Sequence, residues 1–180
     1  MTIEFDSNAD LASLRECVRD FRATLDRVGE HLNHRVESVS GWSVAQHLFH
    51  VVLATDLGLA NVLALVRGKG ILIRPEGALA PEAQAVLEAQ TVPRGSTQAP
   101  RMVVPAEWVE RASIEEELAN VDRSIAELTA SPVTPEASAG WIKHQVLGPL
   151  RASHWMRFCA MHARHHLAII QDIAAALPRG

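Results

Sequence analysis

The chain has 180 residues, which is long enough for one domain with a sizeable core and no disulfides. Its formal net charge of −4 and its scattered basic residues argue against nucleic acid or an anionic membrane as a partner. Hydrophobic residues make up 48% and aromatic residues only 4%, with no tyrosine, which favours helices over sheets. We therefore expect an all-α fold, formed by a single domain over residues 1–180.

The cysteines and the N-terminal residues bear on the cellular compartment. Cys17 and Cys159 are too few for a secreted disulfide framework. The N-terminal sequence MTIEFDSNAD has acidic residues where a signal peptide would have basic residues and an apolar run. Residues 44–66 are the most apolar stretch, but polar residues interrupt it, as in a buried core helix. We expect a cytoplasmic protein with reduced thiols and no transmembrane segment.

A first helix is predicted near the N-terminus. Asp6, Ser7 and Asn8 are its candidate N-caps. From Leu11 onward, apolar residues recur every three or four positions as far as Val36, which is the pattern of one buried face on a long helix.

The second helix has the clearest predicted start. Ser43 and Gln46 have the spacing of a capping box, and Trp42 precedes them where a hydrophobic staple would lie. The helix stays apolar on most sides until Arg67, so it should be the most buried one. Gly58 in its interior costs about 1 kcal/mol relative to alanine, which indicates close approach of a neighbour.

Residues 67–105 form a long connection in which the helical periodicity fails. Glycines and prolines divide it into short pieces, and only Pro81 to Gln90 could form a helix, with proline at its first position. A connection of this length either shapes a functional pocket, as a lid or wall, or simply crosses the surface.

Two further helices are predicted after this connection. Ser113 and Glu116 have capping-box spacing at the start of the third helix, which Ser131 and the following proline end. The segment HQVLGPL turns the chain into a fourth helix that ends near Ala176. The four helices predict a four-helix bundle, in which the long crossover connection allows the second and third helices to run parallel.

The last predicted helix contains a pair of histidines that could bind a metal. His162 and His166 are four residues apart, so both imidazoles lie on one helical face and can reach one ion. His50, on the facing second helix, is the best candidate for a third ligand. Nine histidines in 180 residues produce such a spacing by chance fairly often, and a buried histidine is frequently just a hydrogen-bonded core residue.

The segments GWSVAQHLFH, MHARHHLAII and HQVLGPL resemble the signature blocks of the DinB-like superfamily of metal-binding four-helix bundles. HQVLGPL more narrowly resembles an uncharacterised bacterial branch, in which a His-Pro-x-x-Gly turn precedes the H-x-x-x-H-H helix. Matched by position, the resemblance implies that His50, His162 and His166 are the metal ligands. Two residues depart from this branch: Gln145 stands where proline is usual, and Arg151 where threonine or serine is frequent.

The resemblance also implies a cofactor and a class of substrate. Zn, Ni or Fe is the implied divalent metal, and the characterised enzymes of the superfamily include S-transferases and isomerases that use low-molecular-weight thiols. Three histidines leave a coordination position open, which is typical of a catalytic site. The resemblance implies thiol S-transfer or hydrolysis of a small molecule as the reaction. The alternative is a non-catalytic metal-binding or interaction module, working as a homodimer, whose site is closed by His47 or Cys159 as a fourth ligand.

Other histidines are weaker candidates for a catalytic role. His47 lies one turn before His50 and could orient it, donate a proton or face away. His165 should point away from His162 in a regular helix. It could support a ligand histidine, carry protons or simply lie on the surface. His144 and His154 lie near the predicted mouth of the bundle, where either could act as a general base.

Overall fold

The computed structural model describes residues 5–92, 94–95 and 98–178. In chain order, the helices and strands are α1 (Ser7–Val28), α2 (Val44–Arg67), α3 (Pro81–Ala89), α4 (Arg111–Ala130), β1 (Ile142–His144), β2 (Gly148–Leu150) and α5 (Ala152–Ala176), with 3-10 turns at Gly29–Asn33 and Arg101–Val103. The four long helices and the small share of strand confirm the predicted all-α bundle.

The bundle is organised around α2 and α5. Helix α2 packs against both α5 and α4, while α1 packs against α5. Ser124 of α4 donates a hydrogen bond to Asp56 of α2, and Glu127, further along α4, pairs with Arg67 at the end of α2. Both contacts are met in the same order along the two helices, so α2 and α4 run parallel, which the long crossover connection between them allows.

Helix α1 is shorter than predicted. The Asp6 side chain caps its start by accepting hydrogen bonds from the backbone N–H groups of Asn8 and Ala9. The α-helix ends at Val28 rather than continuing to Val36, because Gly29 adopts a φ of +50° and the chain tightens into a 3-10 turn. The apolar pattern nevertheless continues, since Leu32 in that turn is buried.

Helix α2 begins at the predicted capping box. The Ser43 hydroxyl accepts from the Gln46 backbone N–H at 3.2 Å, and the Gln46 side-chain oxygen accepts from the Ser43 backbone N–H at 3.0 Å. The helix ends where Gly68 takes the left-handed conformation. By length and composition it could span a membrane, but more than half of its most apolar 18-residue stretch is buried inside the protein, as is usual for the core helix of a soluble protein.

Two features of the second half differ from the sequence prediction. The prediction of a Ser113–Glu116 capping box is wrong. Helix α4 starts at Arg111, and the Ser113 backbone N–H already donates to the Glu110 carbonyl at 3.1 Å. The HQVLGPL segment forms the turn of an antiparallel hairpin, in which Ile142 pairs with Leu150. The short helix after Pro81 and the end of α4 at Ser131 are confirmed.

Candidate metal centre

Three histidines meet where α2 faces α5. His50 projects from α2, and His162 and His166 project from successive turns of α5, so the structure brings together the three predicted ligands. Each offers a ring nitrogen, and these three nitrogens lie within 4.8 Å of one another. Among the described residues, this is the group of histidine, cysteine and carboxylate side chains that could hold one ion.

The connection between α2 and α4 fixes the orientation of His50. The Nδ1 of His50 lies 2.8 Å from the carbonyl oxygen of Val103, in the 3-10 turn of that connection. A carbonyl can only accept, so Nδ1 carries the proton and the neutral ring keeps a free lone pair on Nε2. An imidazole that donates its other N–H to a carbonyl is the usual arrangement of a metal-ligating histidine.

The separation of the other two imidazoles also fits a metal. The Nε2 atoms of His162 and His166 are 3.1 Å apart. Two nitrogens bound to one ion at about 2.1 Å, at tetrahedral to octahedral angles, would be about 3.0 to 3.4 Å apart. In the metal-free chain the same distance suits one N–H···N hydrogen bond, so the pair is compatible with both states.

Burial keeps these histidines neutral, which metal binding requires. Desolvation lowers the pKa of His162 to about 3 and also lowers the pKa of His50. The pKa of His166 is lowered further, first by burial and then by the neighbouring histidines. At neutral pH the cluster therefore presents unprotonated imidazoles, with lone pairs available for a cation.

His47 lies behind the cluster rather than in it. Its Nδ1 is 3.0 Å from the Nδ1 of His166, and its Nε2 is 2.8 Å from the Ser40 hydroxyl. Burial lowers the pKa of His47 to about 4. Trp42 covers this side, with ring centroids 5.3 Å from His47 and 5.1 Å from His50. No pattern in the sequence indicates the contact between His47 and His166, because it depends on how α2 and α5 are rotated against each other when they pack.

The remaining histidine candidates lie outside the cluster. His165 is next to His166, with ring centroids 5.1 Å apart, and lines a cleft of about 210 Å³ between α5 and the residues that follow α3. His154 lies at the start of α5, where its Nδ1 accepts from the Arg151 backbone N–H at 3.3 Å. His144 accepts at Nδ1 from two backbone N–H groups of the hairpin turn, both at 3.1 Å.

Neither proposed fourth ligand joins the three histidines. Cys159 is buried against Gly58 of α2, where its sulfur would lie 2.4 Å from an added Cβ. Burial raises the pKa of the Cys159 thiol to about 12, so it remains protonated at neutral pH. Both ring nitrogens of His47 already have hydrogen-bond partners, the Ser40 hydroxyl and Nδ1 of His166. Within the described part of the chain, the group that could hold one ion therefore consists of the three histidines alone.

Comparisons with known proteins place the chain in a family. The family model of the DinB superfamily matches residues 13–170, a span that includes α2, α5 and all three clustered histidines. Curated proteins and solved structures give no significant match. Because the family model covers most of the chain, this protein belongs to the DinB superfamily.

Proposed function

We propose that the protein is a metal-dependent enzyme acting on a small molecule, with His50, His162 and His166 as the ligands of a divalent ion. The observation that carries this proposal is the convergence of three neutral imidazole nitrogens within 4.8 Å. The hydrogen bond from His50 to the Val103 carbonyl supports it, because that bond directs a free lone pair into the cluster. Zn, Ni and Fe all suit imidazole ligands and are the expected metals.

The three-histidine set favours catalysis over a purely structural site. Structural zinc is normally enclosed by four protein ligands, whereas catalytic sites keep a position for water or substrate. Here both ring nitrogens of His47 already have hydrogen-bond partners, Ser40 and His166, and Cys159 is a protonated thiol buried against Gly58. A divalent ion at this position would supply Lewis acidity for hydrolysis or for thiol S-transfer.

The chain itself would shape and dry the site. Trp42 packs over His50, and Phe158 stacks on His162 with ring centroids 5.2 Å apart. Val103 of the long connection, whose carbonyl contacts His50, is itself buried. These apolar surroundings strengthen electrostatic interactions at the cluster. We propose a low-molecular-weight thiol or its conjugate as the substrate, and the cytoplasm as the compartment.

Elemental analysis tests the metal site. Untagged protein purified without chelators should contain close to one divalent metal per chain. His50→Ala and His162→Ala should each lose most of it, because each removes one of three ligands. His34→Ala, at an exposed position away from the cluster, is the matched control and should keep it. A parent protein that neither contains nor takes up Zn, Ni or Fe would overturn the proposal.

A second experiment separates an enzyme from a non-catalytic module. After substitution with Co²⁺, addition of a small thiol should change the visible absorption spectrum, since an open position allows the thiolate to bind. A spectrum that excess thiol leaves unchanged would indicate a closed site and favour a metal-stabilised interaction module. A spectral change would justify assays of thiol transfer with each of the three metals.

A further inference from the structure

His166 is contacted at both of its ring nitrogens. Its Nε2 faces the Nε2 of His162 at 3.1 Å, and its Nδ1 faces the Nδ1 of His47 at 3.0 Å. A neutral imidazole has one N–H donor and one acceptor nitrogen. The direction of the hydrogen bond to His47 therefore decides whether Nε2 of His166 carries a proton or a free lone pair.

The hydrogen bonds continue beyond His47. Its Nε2 lies 2.8 Å from the Ser40 hydroxyl oxygen, which also accepts from the Trp42 backbone N–H at 3.2 Å. His47 is neutral and must donate with one nitrogen and accept with the other. Ser40, His47 and His166 therefore form a relay in which both hydrogen bonds point the same way, outward to Ser40 or inward to His166.

Only the outward direction is compatible with metal binding through Nε2 of His166. In that direction His166 donates from Nδ1 to His47, and His47 donates from Nε2 to Ser40. The Ser40 oxygen has two lone pairs, one for His47 and one for the Trp42 N–H. Ser40 is half-buried, so its own hydroxyl proton can reach solvent. In the inward direction, Nε2 of His166 carries the proton and cannot bind a cation.

We propose that His47 is a positioning residue, which with Ser40 holds His166 in the tautomer that leaves Nε2 free. This inference rests on the proposed metal site. No proton is gained or lost in the relay; only its location on neutral rings is set. His50 obtains the same result from the fixed acceptor Val103, whereas the partner of His166 can itself donate or accept.

Zinc affinity of two substitutions at His47 tests the proposal. His47→Leu removes the acceptor and should weaken zinc binding by about 10- to 100-fold, as loss of such supporting partners does. His47→Asn can place its amide oxygen near the former Nδ1, so it should retain affinity within a few-fold of the parent. Affinities are measured by competition with a zinc chelator. Equal affinity of the parent and His47→Leu would overturn the proposal.

Nitrogen NMR of the parent provides a readout that does not depend on any variant folding. In ¹⁵N-histidine-labelled, zinc-bound protein, Nδ1 of His47 should have the shift of an unprotonated nitrogen and its Nε2 that of a protonated one. The opposite assignment would overturn the relay while leaving the metal site intact. Failure of the parent to bind zinc is a separate result, which would remove the proposed function and the relay together.

Discussion

At the scale of single residues, burial and hydrogen-bond partners determine which histidines can bind a metal, although they look alike in the sequence. The spacing of His162 and His166 predicted their shared face, and the start of α2 placed His50 opposite them. The structure brings all three together. The sequence left the role of His47 open because a rotation of one helix by part of a turn decides what it contacts. In the structure its Nδ1 lies 3.0 Å from Nδ1 of His166 on the facing helix.

Gly58 permits the close approach of α2 and α5. From the sequence, this glycine indicated a close neighbour without identifying it. A Cβ at this position would lie 2.4 Å from the buried Cys159 sulfur. We expect Gly58→Ala to destabilise the fold: overpacking costs about 1 to 3 kcal/mol, which exceeds the gain of at most about 1 kcal/mol from better helix propensity. Urea unfolding should show a lower midpoint with an unchanged slope.

The double variant Gly58→Ala/Cys159→Ala is the control for this prediction. It removes the colliding sulfur and leaves only the Cβ methyl group at position 159, so it should be more stable than Gly58→Ala alone. If the double variant were no more stable than the single one, the contact with Cys159 would not be the cause of the loss.

At the scale of elements, local patterns predicted the helix interiors better than their ends. The Ser43 box formed because both of its side chains meet unpaired backbone groups at the helix start. The Ser113 box did not, because α4 had already begun at Arg111 and left no free first turn there. The hairpin of three-residue strands is too short to produce an alternating pattern, and a positive φ at Gly148 accommodates its turn.

A buried ion pair connects α1 to α5. The Nε of Arg157 donates to both carboxylate oxygens of Asp10, at 2.7 and 2.9 Å, and both side chains are almost fully buried. We expect Asp10→Leu to lower the free energy of unfolding by about 3 to 5 kcal/mol, because it leaves the Arg157 charge buried without a partner. Chemical denaturation measures the loss.

Two comparisons make this prediction specific. Asp122→Ala removes an exposed pair with Arg22 between α1 and α4 and should cost less than about 1 kcal/mol. The double variant Asp10→Leu/Arg157→Leu should recover part of the loss, since it removes the uncompensated charge as well. If Asp10→Leu were as mild as Asp122→Ala, burial of the pair would have no energetic consequence.

At the scale of the whole molecule, the long connection does more than join two parallel helices. Its 3-10 turn places the Val103 carbonyl on His50, and the Gln46 amide donates to the Ala106 carbonyl at 2.9 Å, which fastens the connection to the start of α2. Sequence periodicity could not predict these contacts because they use backbone atoms of an irregular segment. Helix α2 packs against both α4 and α5, so most of its faces are buried, which explains why it is apolar on most sides.

The buried histidines make the stability of the metal-free protein depend on pH. Burial lowers the pKa of His47, His144 and His154 to about 4 and that of His162 to about 3, whereas histidines of the unfolded chain titrate near 6.5. As the pH falls below about 6.5, the unfolded chain takes up protons that the folded chain excludes, so the free energy of unfolding decreases. Each such histidine contributes about 1.4 kcal/mol per pH unit once the pH is well below 6.5.

Urea unfolding of metal-free protein at pH 7.5, 6 and 5 measures this dependence, in a range above the titration of ordinary carboxylates. We expect stability to be highest at pH 7.5 and to fall steeply toward pH 5. His144→Asn is the matched control: its amide oxygen can still accept from the turn N–H groups that His144 binds, but it cannot be protonated. The free energy of unfolding of this variant should therefore fall less steeply with decreasing pH. The difference in slope should be at most that of one proton, about 1.4 kcal/mol per pH unit. If the parent protein were equally stable at pH 7.5 and pH 5, the histidines of the folded chain would take up protons as readily as those of the unfolded chain. That result would contradict the neutral cluster on which metal binding depends.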